Sequence, residues 1–303
     1  MRFIFFSLIF LIFTNCSFDQ KSGIWNNENQ VDKSEQSPYS EFKNISIIKK
    51  DSLEKNIDLK NDFKFSLSTP KNSSYWNQVY FSKTNNVENF KYEHLNSLVF
   101  KSKKISKYKT NPFILYDEGN LISSDSKGNI IVFSISKNKL ITKFNFYKNR
   151  YKKIEKKLNL IFEKNIIYVS DNFGYLYAYD YLNNKIKWAK DYNVPFRSNL
   201  KIAKDIIFAA NQNNNLFFFE KKSGEILKQI PTEETVVKNQ FVNNLSIAAN
   251  NIFFLNTYGS LYSVDINSKR VAWFLNLNQS LDLDTNNLFL SSQVLNFKNK
   301  VVV

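Results

Sequence analysis

Few side chains in this sequence could do covalent or metal chemistry. There is one cysteine, Cys16, and one histidine, His94. A lone cysteine excludes an internal disulfide, and a zinc cluster or a Cys–His catalytic pair would need partners that the chain lacks. His94 could serve as a general base, but the sequence offers no evident partner for it. Adjacent acids occur twice, Asp117 with Glu118 and Glu233 with Glu234. Side by side in turn-forming sequence, they read as solvated loop charges. No phosphate-cradling loop, nucleophile elbow or metal-spaced cluster is present. The residue types point away from catalysis and call for no cofactor or metal.

The formal net charge is +15, which raises the question of an anionic partner. Only four of the 42 basic residues are arginines: Arg2, Arg150, Arg197 and Arg270. Bidentate recognition of phosphates and bases favours arginine, and the lysines are scattered. The charge therefore reads as a compositional habit, shared with abundant Asn, Ile, Phe and Tyr, and implies no nucleic-acid partner. Weak attraction to anionic surfaces stays open.

Cys16 has a position that matters. It ends the stretch MRFIFFSLIFLIFTNC, one basic residue followed by an apolar run over 3–13. That run would span about 16 Å as a helix, too short for a bilayer core but suited to a signal peptide. The stretch resembles a bacterial lipoprotein signal, whose cysteine is lipidated and becomes the new N-terminus; Ser17 after it is compatible with sorting to the outer membrane. An ordinary export signal with a chance cysteine is the alternative. Residues 1–16 are thus expected to be the signal and 17–64 a polar tether without sustained periodicity. Within the tether, 49–64 could hold a short helix.

Beyond the tether the chain repeats itself. Similar stretches surround Gly128, Gly174, Asn214 and Gly259, at separations of 46, 40 and 45 residues. That period suits a four-stranded propeller blade. In the second copy, NIIYVSDNFGYLYAYDYLNNKIKW (165–188), a nearly continuous apolar run precedes a tight turn at 171–174. An alternating aromatic run follows, then an Asn183-Asn184 turn and a strand carrying Trp188. Glycine in the first turn supplies positive φ, and Asn214 can replace it. Each unit is preceded by one more strand-like segment: NPFILYDEG, KLNLIFEKN, RSNLKIAKD and NNLSIAANN. Four strands per unit, joined by short turns, predict an all-β propeller over 111–303. A β-sandwich also has short, evenly spaced strands, but it would not explain similarity of whole units.

The segment GYLYAYDYLNNKIKW resembles the blade repeat of the PQQ-like, quinoprotein-type propeller family, with its Gly-x-Leu-x-Ala-x-Asp pattern and later Trp. Gly174, Leu176, Ala178, Asp180 and Trp188 match, as do Gly259, Leu261, Asp265 and Trp273 in the fourth copy. The third copy keeps Leu216 and Gly224 but has Glu220 and Lys228 for the Asp and Trp. The first keeps Gly128, with Phe144 near the Trp position. The resemblance implies structural roles, with the Trp docking one blade on the next and the Asp fixing a turn.

Upstream, 65–110 is similar to the lead-in of the outer-membrane assembly lipoproteins of this family (BamB-like proteins). Trp76 would be its tryptophan and 97–101 a strand closing the last blade. This likeness implies a non-catalytic scaffold, lipid-anchored on the periplasmic side of the outer membrane, with the barrel-assembly complex as protein partner. A PQQ- and calcium-dependent dehydrogenase and a cell-wall- or carbohydrate-binding propeller are the other readings the family allows. The final NKVVV aligns with NIIYV, DIIFA and NIFFL. The sequence is therefore expected to stop inside a fifth blade of a protein with seven or eight.

Overall fold

Repeated sequence becomes repeated antiparallel sheet. A computed structural model describes residues 69–72, 75–87, 89–91, 98, 100–147, 151–234, 241–277, 293–297 and 300–303. All fall within one unit of the chain, Phe42–Val303. Cys16, His94, the expected signal and the tether lie outside the described residues. The strands are β1 (Tyr75–Trp76), β2 (Leu115–Asp117), β3 (Asn120–Ser124), β4 (Asn129–Ser134), β5 (Lys139–Asn145), β6 (Leu158–Glu163), β7 (Ile166–Asp171), β8 (Tyr175–Asp180) and β9 (Lys185–Asp191). They continue with β10 (Lys201–Ala203), β11 (Ile206–Ala210), β12 (Leu216–Glu220), β13 (Ile226–Ile230), β14 (Asn244–Ala248), β15 (Asn251–Leu255), β16 (Ser260–Asp265), β17 (Val271–Asn276), β18 (Leu295–Phe297) and β19 (Lys300–Val302).

They form sheets β2–β5, β6–β9, β10–β13 and β14–β17, each in sequence order, then the pair β18–β19; β1 adds to the free edge of β2. The third strand of every four-stranded unit slips register against the fourth at the same place. The slips fall at Val132/Phe133, Ala178/Tyr179, Phe218/Phe219 and Ser263/Val264. A bulge at a constant position increases local twist in each sheet alike.

The core explains the architecture. Among the described residues, four apolar clusters lie between successive sheets rather than inside one slab. Leu160, Ile167 and Val169 face the first sheet with Ile130 and Val132. Their strand neighbours Ile161 and Tyr168 face the third, with Ile207 and Phe219. Phe208 and Phe218 then meet Leu245 and Phe254 of the fourth. Phe253 and Leu261 meet Val294 of the fifth. A strand buried on both faces must be apolar almost throughout, which is why 166–169 and 216–219 run without interruption. A two-layer sandwich would have one shared core, so the serial cores make this a propeller. Innermost strands lie side by side, β2 by β6, β10 by β14 and β14 by β18.

Candidate functional site

The turn after the second strand of each unit is built by one device. Asp125, Asp171, Asn211 and Asn256 each turn a side-chain oxygen back onto the following amides. Asp171 Oδ1 accepts from the amides of Phe173, Gly174 and Tyr175 at 2.8–2.9 Å. Asn256 Oδ1 accepts from Tyr258 and Ser260, each at 3.0 Å. Gly174 holds φ +105°, and a Cβ there would come within 2.8 Å of the Val194 backbone nitrogen. Asn214 takes φ +62° in the equivalent turn, as its tolerance of left-handed backbone allows.

These turns gather on one face with the loops that lead into each new sheet, and the loops tie the units together. Tyr147 donates its hydroxyl to Asp171 Oδ2 of the next unit. Burial pushes the Tyr147 hydroxyl pKa up. It also raises the carboxyl of Asp171, against the pull of its hydrogen bonds. Glu233 accepts from Asn256 Nδ2 (2.7 Å), Ser260 Oγ (2.8 Å) and Tyr262 OH (2.9 Å). The sequence reading of Glu233 as a solvated loop charge is therefore corrected: it is a clasp between the third and fourth units. Asp117 ends β2, and Glu118 sits in the turn at φ +42°. A cavity of about 270 Å³ opens beside the Asp125 turn, lined among others by Lys109, Asn111, Phe113, Lys156 and Lys157. Two of its charged groups, Asp125 and Lys156, are already engaged. Asp125 accepts from Ser106 Oγ at 2.6 Å, and the Lys156 ammonium donates to the carbonyls of Tyr151 and Ile154.

The family-motif residues sit at unit boundaries and turns. Trp188 Nε1 donates to the Lys221 carbonyl of the third unit at 3.0 Å. A Cβ on Gly224 would lie 2.6 Å from the same indole ring. Gly224 has φ +78°, so it is required both by its backbone and by the ring above it. Gly224→Ala is expected to cost about 2 kcal/mol, read as a lower urea midpoint with an altered tryptophan emission. Trp273 packs with Phe253 (ring centroids 5.9 Å) beside Val294 and Val301 of the fifth unit. Asp180 Oδ1 accepts from the Asn183 amide at 3.1 Å and Oδ2 from its side chain at 2.8 Å, which holds the carboxyl down at about 2. Asp265 accepts from Ser268 in the same way, and Gly259 has φ +83° in its turn.

The register places Thr142, not Phe144, where Trp188 stands. Val132↔Thr142, Ala178↔Trp188, Phe218↔Lys228 and Ser263↔Trp273 are equivalent pairs. A small residue faces each Trp, and a larger one faces Thr or Lys, so bulk is exchanged across the strand pair. Phe144 still reaches the next unit by stacking on Tyr179, with centroids 4.1 Å apart.

The inner edges hold an arrangement that sequence reasoning missed. Lys201, on β10, is fully buried. Its ammonium donates to Gln78 Oε1 (3.0 Å) and to the Ser82 carbonyl (2.8 Å). Burial alone brings its pKa down to about 7. Equivalent positions carry Leu115, Ile161 and Ser246, facing Ile122, Tyr168 and Phe253 as Lys201 faces Phe208. That mismatch was the available signal. Among the described residues, no three His, Cys, Asp or Glu side chains converge as a metal-binding group.

Comparison with known proteins adds a family. The family model described as "Outer membrane protein assembly factor BamB" matches residues 102–302. The structure is similar to BamB from Moraxella catarrhalis, with a TM-score of 0.52 at 10% identity, covering 64% of this chain and 56% of that one. It is also similar to the computationally designed Ika4 protein (TM-score 0.42, 12% identity, covering 60% and 99%). Sqt1 of Saccharomyces cerevisiae follows (TM-score 0.43, 10% identity, covering 51% and 43%). The chain thus spans little more than half of the Moraxella protein. Comparison with curated protein sequences gives no match.

Proposed function

The chain belongs to the family of the outer membrane protein assembly factor BamB, and from that premise we propose that it is a non-catalytic scaffold for outer-membrane β-barrel assembly. In this reading residues 1–16 are a signal ending at the lipidated Cys16. Residues 17–64 tether the propeller to the periplasmic side of the outer membrane, and 65–110 lead into it. The partner is a protein, the barrel-assembly complex, and no nucleic acid is involved. The observation that supports the reading is that the carboxylates of Asp125, Asp171, Asp180 and Glu233 are spent on turns and clasps. What the propeller offers is surface. The outer strands β5, β9 and β13 each bond to one neighbour among the described residues. On β13, Ile226 and Leu227 are exposed. Such an edge can receive a partner strand through its backbone.

Affinity capture of the full-length protein from envelope extracts is expected to recover a barrel-assembly component, and its repeated absence would reject the scaffold role. Cys16→Ser is expected to move the protein from the membrane fraction to the soluble one. Unchanged retention would reject the lipid anchor while leaving the scaffold role standing.

A further inference from the structure

A single segment, 75–87, touches the innermost strand of all five units. It begins as β1, paired to β2 through Tyr75↔Asp117 and Trp76↔Tyr116. The Asn77 carbonyl accepts from the Phe162 amide on β6 at 2.9 Å, and Gln78 bridges Ile161. Gln78 and the Ser82 carbonyl take the Lys201 ammonium on β10. The Lys83 carbonyl accepts from the Ile247 amide on β14 at 2.7 Å, and the Thr84 carbonyl from the Asn296 amide on β18 at 3.0 Å. Asn85, itself buried, donates its side-chain amide to the carbonyls of Leu245 (2.9 Å) and Val294 (2.7 Å).

Most of these contacts share a direction. The sheets present three amides and one ammonium, which the segment meets with backbone carbonyls and the Gln78 oxygen, and Asn85 donates back to sheet carbonyls. Backbone recognition of this kind is indifferent to most side chains. Specificity is left to a few anchors. Phe81 is buried edge-on against Trp76 and Phe90, with centroids 5.2 and 5.1 Å apart. Gln78 and Asn85 supply the amides. Phe81 and Asn85 sit at φ +69° and +60°. A bulky residue seldom takes that conformation unless its surroundings impose it. Both acceptors of the Lys201 ammonium come from the segment, so the inner edge of the third unit is completed only when the segment is seated.

We propose that the inner edges of these five sheets form a groove for a peptide that enters as a strand and continues through tight turns, and that residues 75–87 occupy it in cis. The ligand class is a turn-forming polypeptide segment that offers backbone carbonyls, an aromatic anchor and flanking amide side chains. The lead-in is then a resident ligand that a competing segment of the same chemistry can displace. The proposal concerns the inner edges and stands apart from whatever the outer edges bind.

The test uses the full chain with a sequence-specific protease site placed within 92–97. After cleavage, the N-terminal piece is expected to co-elute with the propeller on gel filtration at micromolar concentration. A hundredfold excess of a synthetic peptide of residues 75–91 is expected to displace it. The same peptide carrying Phe81→Ala and Asn85→Ala is expected to compete at least tenfold less well. Lys201→Met in the cut protein is expected to speed release about tenfold. Immediate release on cutting overturns the groove. So does retention without exchange, or loss of the propeller's circular dichroism on cutting, because each of these makes the segment core rather than ligand. Equal competition by the two peptides, or unchanged release in Lys201→Met, overturns the assignment of the anchors.

Discussion

The protein is expected to grow more stable as pH rises from 7 towards 10, and Lys201→Met is expected to lose that rise. Lys201 has no solvent exposure, and its pKa falls to about 7 for one reason, the desolvation of its charge. Among the described residues, the strands packed against it bring no compensating charge: the paired strand β11 reads IIFAA, and β14, beside β10, reads NLSIA. Gln78 and Ser82 give it neutral oxygens. The unfolded chain keeps its proton up to about pH 10.4. Between those values the unfolded state binds one proton more than the folded state, so stability increases with pH, with a slope approaching about 1.4 kcal/mol per unit. Below pH 7 both states are protonated and this contribution is flat. Other tyrosines and lysines also titrate near the top of the window, so the diagnostic quantity is the difference between the two proteins. Urea unfolding of both from pH 6 to 9.5 is expected to show Lys201→Met costing several kcal/mol more at the alkaline end. Parallel curves would mean that the amine is charged and solvated in the fold.

That lysine also marks where the sequence stopped being legible. The repeat could be read because each unit restates its own local physics. Doubly buried strands are apolar throughout, and the turns hold Gly or Asn where φ is positive. Within a unit the contacts are near neighbours in sequence, and period and pattern reveal them. The course of 75–87 leaves no such trace. Asn85 meets Val294 across 209 residues, and Lys201 meets Gln78 across 123. Nothing in the sequence around Phe81 announces a left-handed aromatic. The lead-in tryptophan was visible, but not that Tyr75–Trp76 would pair with the first unit. Of the strand expected at 97–101, Leu98, Phe100 and Lys101 belong to none, and Ser97 and Val99 lie outside the described residues. Glu233 was misread for a similar reason. Its three partners come from the next unit's turn and strand, and an acidic pair in isolation looks solvated.

Asp171→Ala is expected to be among the most damaging single changes in the propeller, and Asp171→Asn among the mildest at any buried charge. Asp171 is fully buried and accepts four hydrogen bonds: three backbone amides of its own turn and the Tyr147 hydroxyl of the preceding unit. Alanine would strand those donors where water cannot replace the acceptor, at about 1–3 kcal/mol for each one left unpaired. Partial relaxation of the turn makes a total of about 3–5 kcal/mol reasonable. Asparagine keeps the oxygen that the turn needs. The chain has already made this exchange, since Asn211 and Asn256 cap the same turn in the third and fourth units through the same oxygen. The new amide can face Tyr147, whose hydroxyl oxygen can accept as well as donate. Removing the carboxylate also removes the burial penalty that raises its pKa. The expected cost of Asp171→Asn is therefore within about 1 kcal/mol. Urea denaturation of both variants at pH 7 separates the two effects. Equal losses would show that the buried charge, rather than the turn oxygen, holds the second unit to the first.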